Sequence, residues 1–106
     1  MKICVSAMSG SMDAKVSERF GRAPYFVIVE SDTMSFTPVL NAAESMQGGA
    51  GPEAVRQVAA HGAQIILTGD LGPNAKTAIA AAGIKGVTGI SGVKTVRQAV
   101  EEYLKK

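Results

Sequence analysis

The chain is poor in residues that do chemistry. It holds one cysteine, Cys4, one histidine, His61, and no tryptophan in 106 residues. A lone cysteine excludes an internal disulfide and fits a cytoplasmic protein. With no CxxC and no HxxxH, a conventional zinc or iron–sulfur site built by this chain alone is not expected. Ser9 and Ser11 lack a plausible histidine partner for nucleophilic catalysis. Charge of neither sign dominates: the net charge is +2, with no basic run and no aromatic–basic interleaving. No nucleic-acid partner is therefore expected. No apolar stretch reaches the length of a membrane span, so no membrane contact is expected either. Met1-Lys2-Ile3-Cys4-Val5-Ser6 reads as a strand and not as a signal peptide. Aromatics make up only 5% of the chain, so Val, Ile, Leu and Ala must build the core. One domain over residues 1–106 is large enough to bury such a core without staples.

What is present is a clear alternation of elements. Apolar residues 2–7 suit a buried strand. Residues 25–30, Tyr-Phe-Val-Ile-Val-Glu, are aromatic and β-branched and form a second strand, entered through Pro24. After turn residues 31–34 a third strand runs over 35–41, and its Pro38 places it at a sheet edge. Gln47-Gly48-Gly49-Ala50-Gly51 leads to Pro52, read as the first position of a helix that ends at His61-Gly62. A strand over 64–68, a helix opened by Gly72-Pro73 and closed by Gly83, and a weaker strand over 84–90 follow. Gly92 precedes a last helix, where Thr95 and Gln98 have capping-box spacing. The order β-β-β-α-β-α-β-α predicts an α/β fold with an antiparallel hairpin joined to a parallel portion.

Strand directions then place the loops. If the first, fourth and fifth strands run the same way, all three helices begin at one edge of the sheet. The long loop 8–24 and the glycine segments 47–51, 69–72 and 89–92 reach the same edge. Helix starts carry unpaired N–H groups and partial positive charge, and open α/β sheets bind ligands at the carboxyl ends of their strands. That edge is predicted to bind a compact anion. The candidate residues are Met8, Ser9, Met12, Arg19 and Arg22 from the loop, with Gly49, Gly51, Asp70, Gly72 and Gly92 from the glycine segments.

Each candidate has a second reading. Arg19 and Arg22 can grip an anion or lie on a solvated loop face, pairing with Glu18 or Asp13. Met8, Met12 and Met46 can present soft thioethers or pack beneath the loops. Gly21 reads as a turn residue with positive φ, Cys4 as a buried inert thiol, and His61 as a residue closing a helix. No lysine and Ser/Thr follow the glycines as a phosphate loop requires. The first strand offers Cys4 and Ser6 where two-metal nuclease chemistry needs an acid. No enzyme activity is expected.

Phe20-Gly21-Arg22-Ala23-Pro24 entering a strand, Asn41 ending the third strand, Gly69-Asp70-Leu71-Gly72, and Gly83-Ile84 before the last strand resemble the dinitrogenase iron–molybdenum cofactor biosynthesis family. This is the NifX-type fold, also found as the C-terminal domain of NifB-type proteins. The resemblance covers nearly the whole chain. It implies a ribonuclease H-like fold with a mixed five-stranded sheet, order 3-2-1-4-5, strand two antiparallel, and three main helices. It also implies non-catalytic binding or carriage of an anionic metal–sulfur cluster, an iron–sulfur or molybdenum-containing sulfide held non-covalently. Cluster-assembly or recipient proteins are the implied partners. Some family members use a histidine or cysteine at the site. This chain has neither in its edge loops, which leaves arginines, backbone N–H groups and Met8 or Met12. A generic anion-binding or regulatory module is the alternative.

Overall fold

The computed structural model describes residues 1–105. Its elements are β1 (Lys2–Ala7), a 3₁₀ turn (Phe20–Arg22), β2 (Tyr25–Glu30), β3 (Ser35–Leu40), α1 (Ala50–Ala60), β4 (Ile65–Leu67), α2 (Pro73–Ala82), β5 (Lys85–Val87) and α3 (Val96–Leu104). The sheet order is β3-β2-β1-β4-β5. β2 is antiparallel to both neighbours, and β4 and β5 run parallel to β1. This is the expected mixed sheet, with Pro38 on its edge strand. No described helix is long and apolar enough to cross a membrane.

Alternation along β1 builds two cores. Cys4 faces α1 and α2 with Phe26, Ile28, Val55, Val58 and Ile66. Ile3, Val5 and Ala7 face the other way, against Val96, Ala99 and Val100 of α3. A period of two on a strand covered on both sides makes every β1 position after Lys2 buried.

Three elements have bounds that differ from the sequence expectation. α1 begins at Ala50, not Pro52, because Gly49 at φ 74° starts the helix from a left-handed conformation. Pro52 is tolerated at the third helical position, since N–H groups in a helix's first turn have no internal acceptor. β4 and β5 are only three residues each.

The segment between β1 and β2 serves both faces. Met12, Ala14 and Val16 are buried on the α3 side. Phe20 and Ala23 are buried on the α1–α2 side, with the Phe20 ring centroid 5.0 Å from that of Phe26. Between them the chain crosses the sheet edge at residues 17–19. Hydrogen bonds hold the crossing: Ser17 N–H to the Ser6 carbonyl (2.8 Å), Asp70 N–H to the Glu18 carbonyl (2.7 Å) and Phe20 N–H to the Asp70 carbonyl (3.2 Å). The buried Ser6 hydroxyl donates to the Ser17 carbonyl at 2.6 Å and lies 2.7 Å from the Thr68 hydroxyl. Gly69 packs so closely that a Cβ would sit 2.7 Å from the Glu18 backbone.

Candidate functional site

A cavity of about 240 Å³ opens on the α1–α2 side of this crossing. Its walls are the turn 19–22, the start of α1 (residues 49–52) and the start of α2 (residues 72–75), with Asp70 between. Close backbone approach makes it possible. A Cβ on Gly51 would lie 3.1 Å from the Ala75 Cβ, and one on Gly21 would lie 3.2 Å from the Gly51 nitrogen. Gly21 is therefore needed for proximity. The positive φ expected of it does not occur, because the 3₁₀ turn runs through it in ordinary right-handed geometry.

Neither helix start is capped by a side chain. Gly49 and Gly72 occupy the two N-cap positions and have no side-chain oxygen to offer. The Gly49 and Gly72 carbonyls receive the N–H groups of Glu53 (3.1 Å) and Lys76 (3.0 Å). Among the described residues none accepts from the backbone N–H groups of Ala50, Gly51, Asn74 or Ala75. These four donors belong to residues that line the cavity. The exposed Arg19 adds a cation with no acceptor for its guanidinium among the described residues. Two helix starts, unpartnered N–H groups and a guanidinium are donors from which an anion can accept, with the Asp70 carboxylate as the opposing charge in the same lining. The volume is below that of ordinary organic-ligand pockets.

α3 does not contribute, contrary to the expectation of three converging helix starts. Its N-cap Thr95 accepts from Gln98 N–H at 3.1 Å, and the Gln98 side chain accepts from Thr95 N–H at 2.9 Å. Val96 and Arg97 donate to the Ala14 and Met12 carbonyls, both at 2.9 Å. Gly92 lies before the helix proper, and its N–H donates to the Glu18 carboxylate at 2.6 Å.

Of the sequence candidates, Arg19, Arg22, Gly49, Gly51, Asp70 and Gly72 line the cavity. Met8, Ser9, Met12 and Gly92 do not. Met12 is a correction: it is 3% exposed and packs in the α3-side core, because the loop needed an apolar filler there. Gly92 is a second, with its donor already used. Met8 and Ser9 are exposed beyond the cavity rim, and neighbouring Gly10 rests against Pro38 and Tyr25. Lys15, from the same loop, donates to the Val93 carbonyl at 3.0 Å.

Sequence reasoning missed Asn74 and Ala75 as donors, although their place just after Gly72-Pro73 carried the signal. Asn41 entered it only through the resemblance and not as a site residue; its buried side chain makes four hydrogen bonds. Its Nδ2 donates to the Gly21 (3.1 Å) and Ala23 (2.9 Å) carbonyls; its Oδ1 accepts from Ala43 N–H (2.9 Å) and Gln57 Nε2 (3.1 Å).

Among the described residues, no Cys, His or Met side chain lines the cavity. Burial pushes the Cys4 thiol up, which keeps it protonated within the core. His61 follows the last residue of α1, at the opposite end of the helix from the cavity. Among the described residues there is no group of three or more His, Cys, Asp or Glu side chains that could hold a metal ion. Glu53, in the first turn of α1, is held below the ordinary carboxylate range by its hydrogen bonds from Arg56, with desolvation opposing.

Comparisons with known proteins agree with this architecture. The orange protein of Desulfovibrio gigas, solved in its apo form, is 43% identical with a TM-score of 0.94, over 98% of this chain and 87% of that one. A NifB-type protein from Thermotoga, solved by NMR, is 26% identical with a TM-score of 0.84, over 98% and 87%. No curated protein sequence matches. The family model described as "Dinitrogenase iron-molybdenum cofactor" matches residues 1–106, and the chain belongs to that family of cofactor biosynthesis and carriage.

Proposed function

We propose that this protein binds and carries an anionic metal–sulfur cluster, without transforming it, in the cavity between the α1 and α2 starts. The observation that carries this reading is the convergence of four unpartnered N–H groups and Arg19 on one small cavity. The family supplies the class of cargo. Sulfides on the surface of such a cluster accept hydrogen bonds, and a diffuse negative charge suits two helix starts. Arg19 grips the cargo. Ala50, Gly51, Asn74 and Ala75 orient it. Asp70, which lines the same cavity, opposes anion binding by repulsion, and the donors around it must outweigh that charge. With no thiolate or imidazole in the cavity, the cargo is held non-covalently and can pass to an assembly or recipient protein in the cytoplasm.

Anaerobic purification with elemental analysis and visible spectroscopy tests this. Iron or molybdenum should accompany the protein with charge-transfer absorption. Purified protein should also bind tetrathiomolybdate, and Arg19→Ala should weaken that binding about tenfold. Absence of metal, colour and tetrathiomolybdate binding together would refute cluster carriage. The lack of a soft ligand favours one other reading, a generic anion-binding or regulatory module. Binding of phosphate or sulfate but not tetrathiomolybdate would select it.

A further inference from the structure

Arg22 lines the cavity beside Arg19, yet its guanidinium is already engaged. Nη1 donates to the Glu44 carbonyl at 3.1 Å and also to the Met46 carbonyl. Both carbonyls belong to the turn that follows β3. That turn is closed internally by Glu44 N–H to the Asn41 carbonyl (3.3 Å) and Met46 N–H to the Ala43 carbonyl (3.1 Å). One end is anchored by buried Asn41, which ties it to the carbonyls of Gly21 and Ala23 on either side of Arg22. The far end runs through Gln47 and Gly48 to Gly49, the N-cap of α1 and part of the cavity wall. Gly48 has no heavy atom within 4 Å of where a Cβ would be, so that side of it is open. The Met46 methyl lies 3.9 Å from the Cβ position of Gly49, which puts the thioether beside the rim.

We propose that Arg22 is a positioning residue. It latches the 41–46 turn closed over the approach to α1 and thereby fixes the rim formed by Met46 and Gly49. The latch is a property of the free protein. Its effect on cargo rests on the carriage reading above. Of the five guanidinium donors, those on Nη2 and Nε form no hydrogen bond among the described residues, so the latch and a weak contact with cargo are compatible. The charge of Arg22 is secondary; what matters is two donors reaching two carbonyls from one nitrogen. A lysine ammonium, with three donors, can replace that function in part. A methionine of similar length cannot.

The test is amide exchange in the free protein, read at Glu44 and Met46, for wild type, Arg22→Met and Arg22→Lys. Arg22→Met should speed exchange at both amides about tenfold while β1 and β2 keep their protection. Arg22→Lys should recover most of the protection. Tetrathiomolybdate affinity should fall several-fold in Arg22→Met and return in Arg22→Lys, in step with exchange. Unchanged exchange in Arg22→Met overturns the latch, and a loss of affinity without faster exchange would make Arg22 a direct ligand instead. If the wild type binds no tetrathiomolybdate, the exchange data alone decide whether the latch exists.

Discussion

The two faces of the sheet treat their helix starts in opposite ways. On one face α3 is sealed: a capping box at its first turn, loop carbonyls on Val96 and Arg97, and a carboxylate on Gly92. On the other face α1 and α2 begin at glycines and leave four N–H groups without acceptors among the described residues. A capping side chain is the ordinary answer to these orphan donors and contributes about 1 kcal/mol. On the carriage reading, its omission twice at one cavity, in a molecule whose third helix has it, trades stability for binding. The same loop makes both arrangements. Its first half caps α3 and its second half walls the cavity, with the crossing at residues 17–19 between.

The largest effect should come from breaking that crossing. Gly69→Ala would press a Cβ to 2.7 Å from the Glu18 Cα and carbonyl oxygen, backbone atoms that cannot swing aside. A loss of about 2–3 kcal/mol in urea unfolding is expected, with both faces disturbed. A neutral result would mean the crossing is looser than its hydrogen bonds imply.

Exchanging caps between the faces sharpens the contrast. Thr95→Ala on the sealed side should cost about 1 kcal/mol of stability and leave tetrathiomolybdate affinity alone. Gly72→Ser on the open side should do the reverse. Gly72 has N-cap dihedrals (φ −65°, ψ 164°) and open space where its Cβ would be. A serine there should add a few tenths of a kcal/mol while its hydroxyl competes for the Asn74 or Ala75 N–H, so anion affinity should fall. If Gly72→Ser stabilises and binds equally well, the α2 donors do not hold the cargo.

The smallest effect concerns acid. Glu53 has its folded pKa lowered, chiefly by the hydrogen bond from Arg56. A group lowered on folding contributes above its unfolded pKa and loses that contribution as pH falls through the folded value. Acid should therefore weaken the open side slightly. Glu53→Gln should flatten the stability profile across the carboxylate range, and an unchanged slope would show the pair to be solvent-screened.

Much of this was legible locally. The bounds of β1 and β2 follow from unbroken apolar and β-branched runs, and the Thr95–Gln98 box from its spacing. The edge place of β3 follows from Pro38. The candidate site was legible only in part. Arg19, Gly49, Gly51, Asp70 and Gly72 meet because strand directions bring those loops to one edge. Met12 and Gly92 come to the same edge and are spent there on packing and on Glu18. No local signal separates a residue that reaches an edge from one that faces a cavity.

By itself, then, the sequence determined the order and type of the elements, the buried face of each strand, and the absence of a thiolate or imidazole from the edge loops. Those follow from periodicity, capping chemistry and residue identity, which act over a few neighbours. Only the tertiary structure decided which helix starts stay open. That depends on contacts such as Glu18 with Gly92, 74 positions apart, and on whether a distant carbonyl or carboxylate arrives to satisfy a given N–H. Such contacts are settled by how the 8–24 loop packs across both faces, and that packing exists only once the sheet has formed.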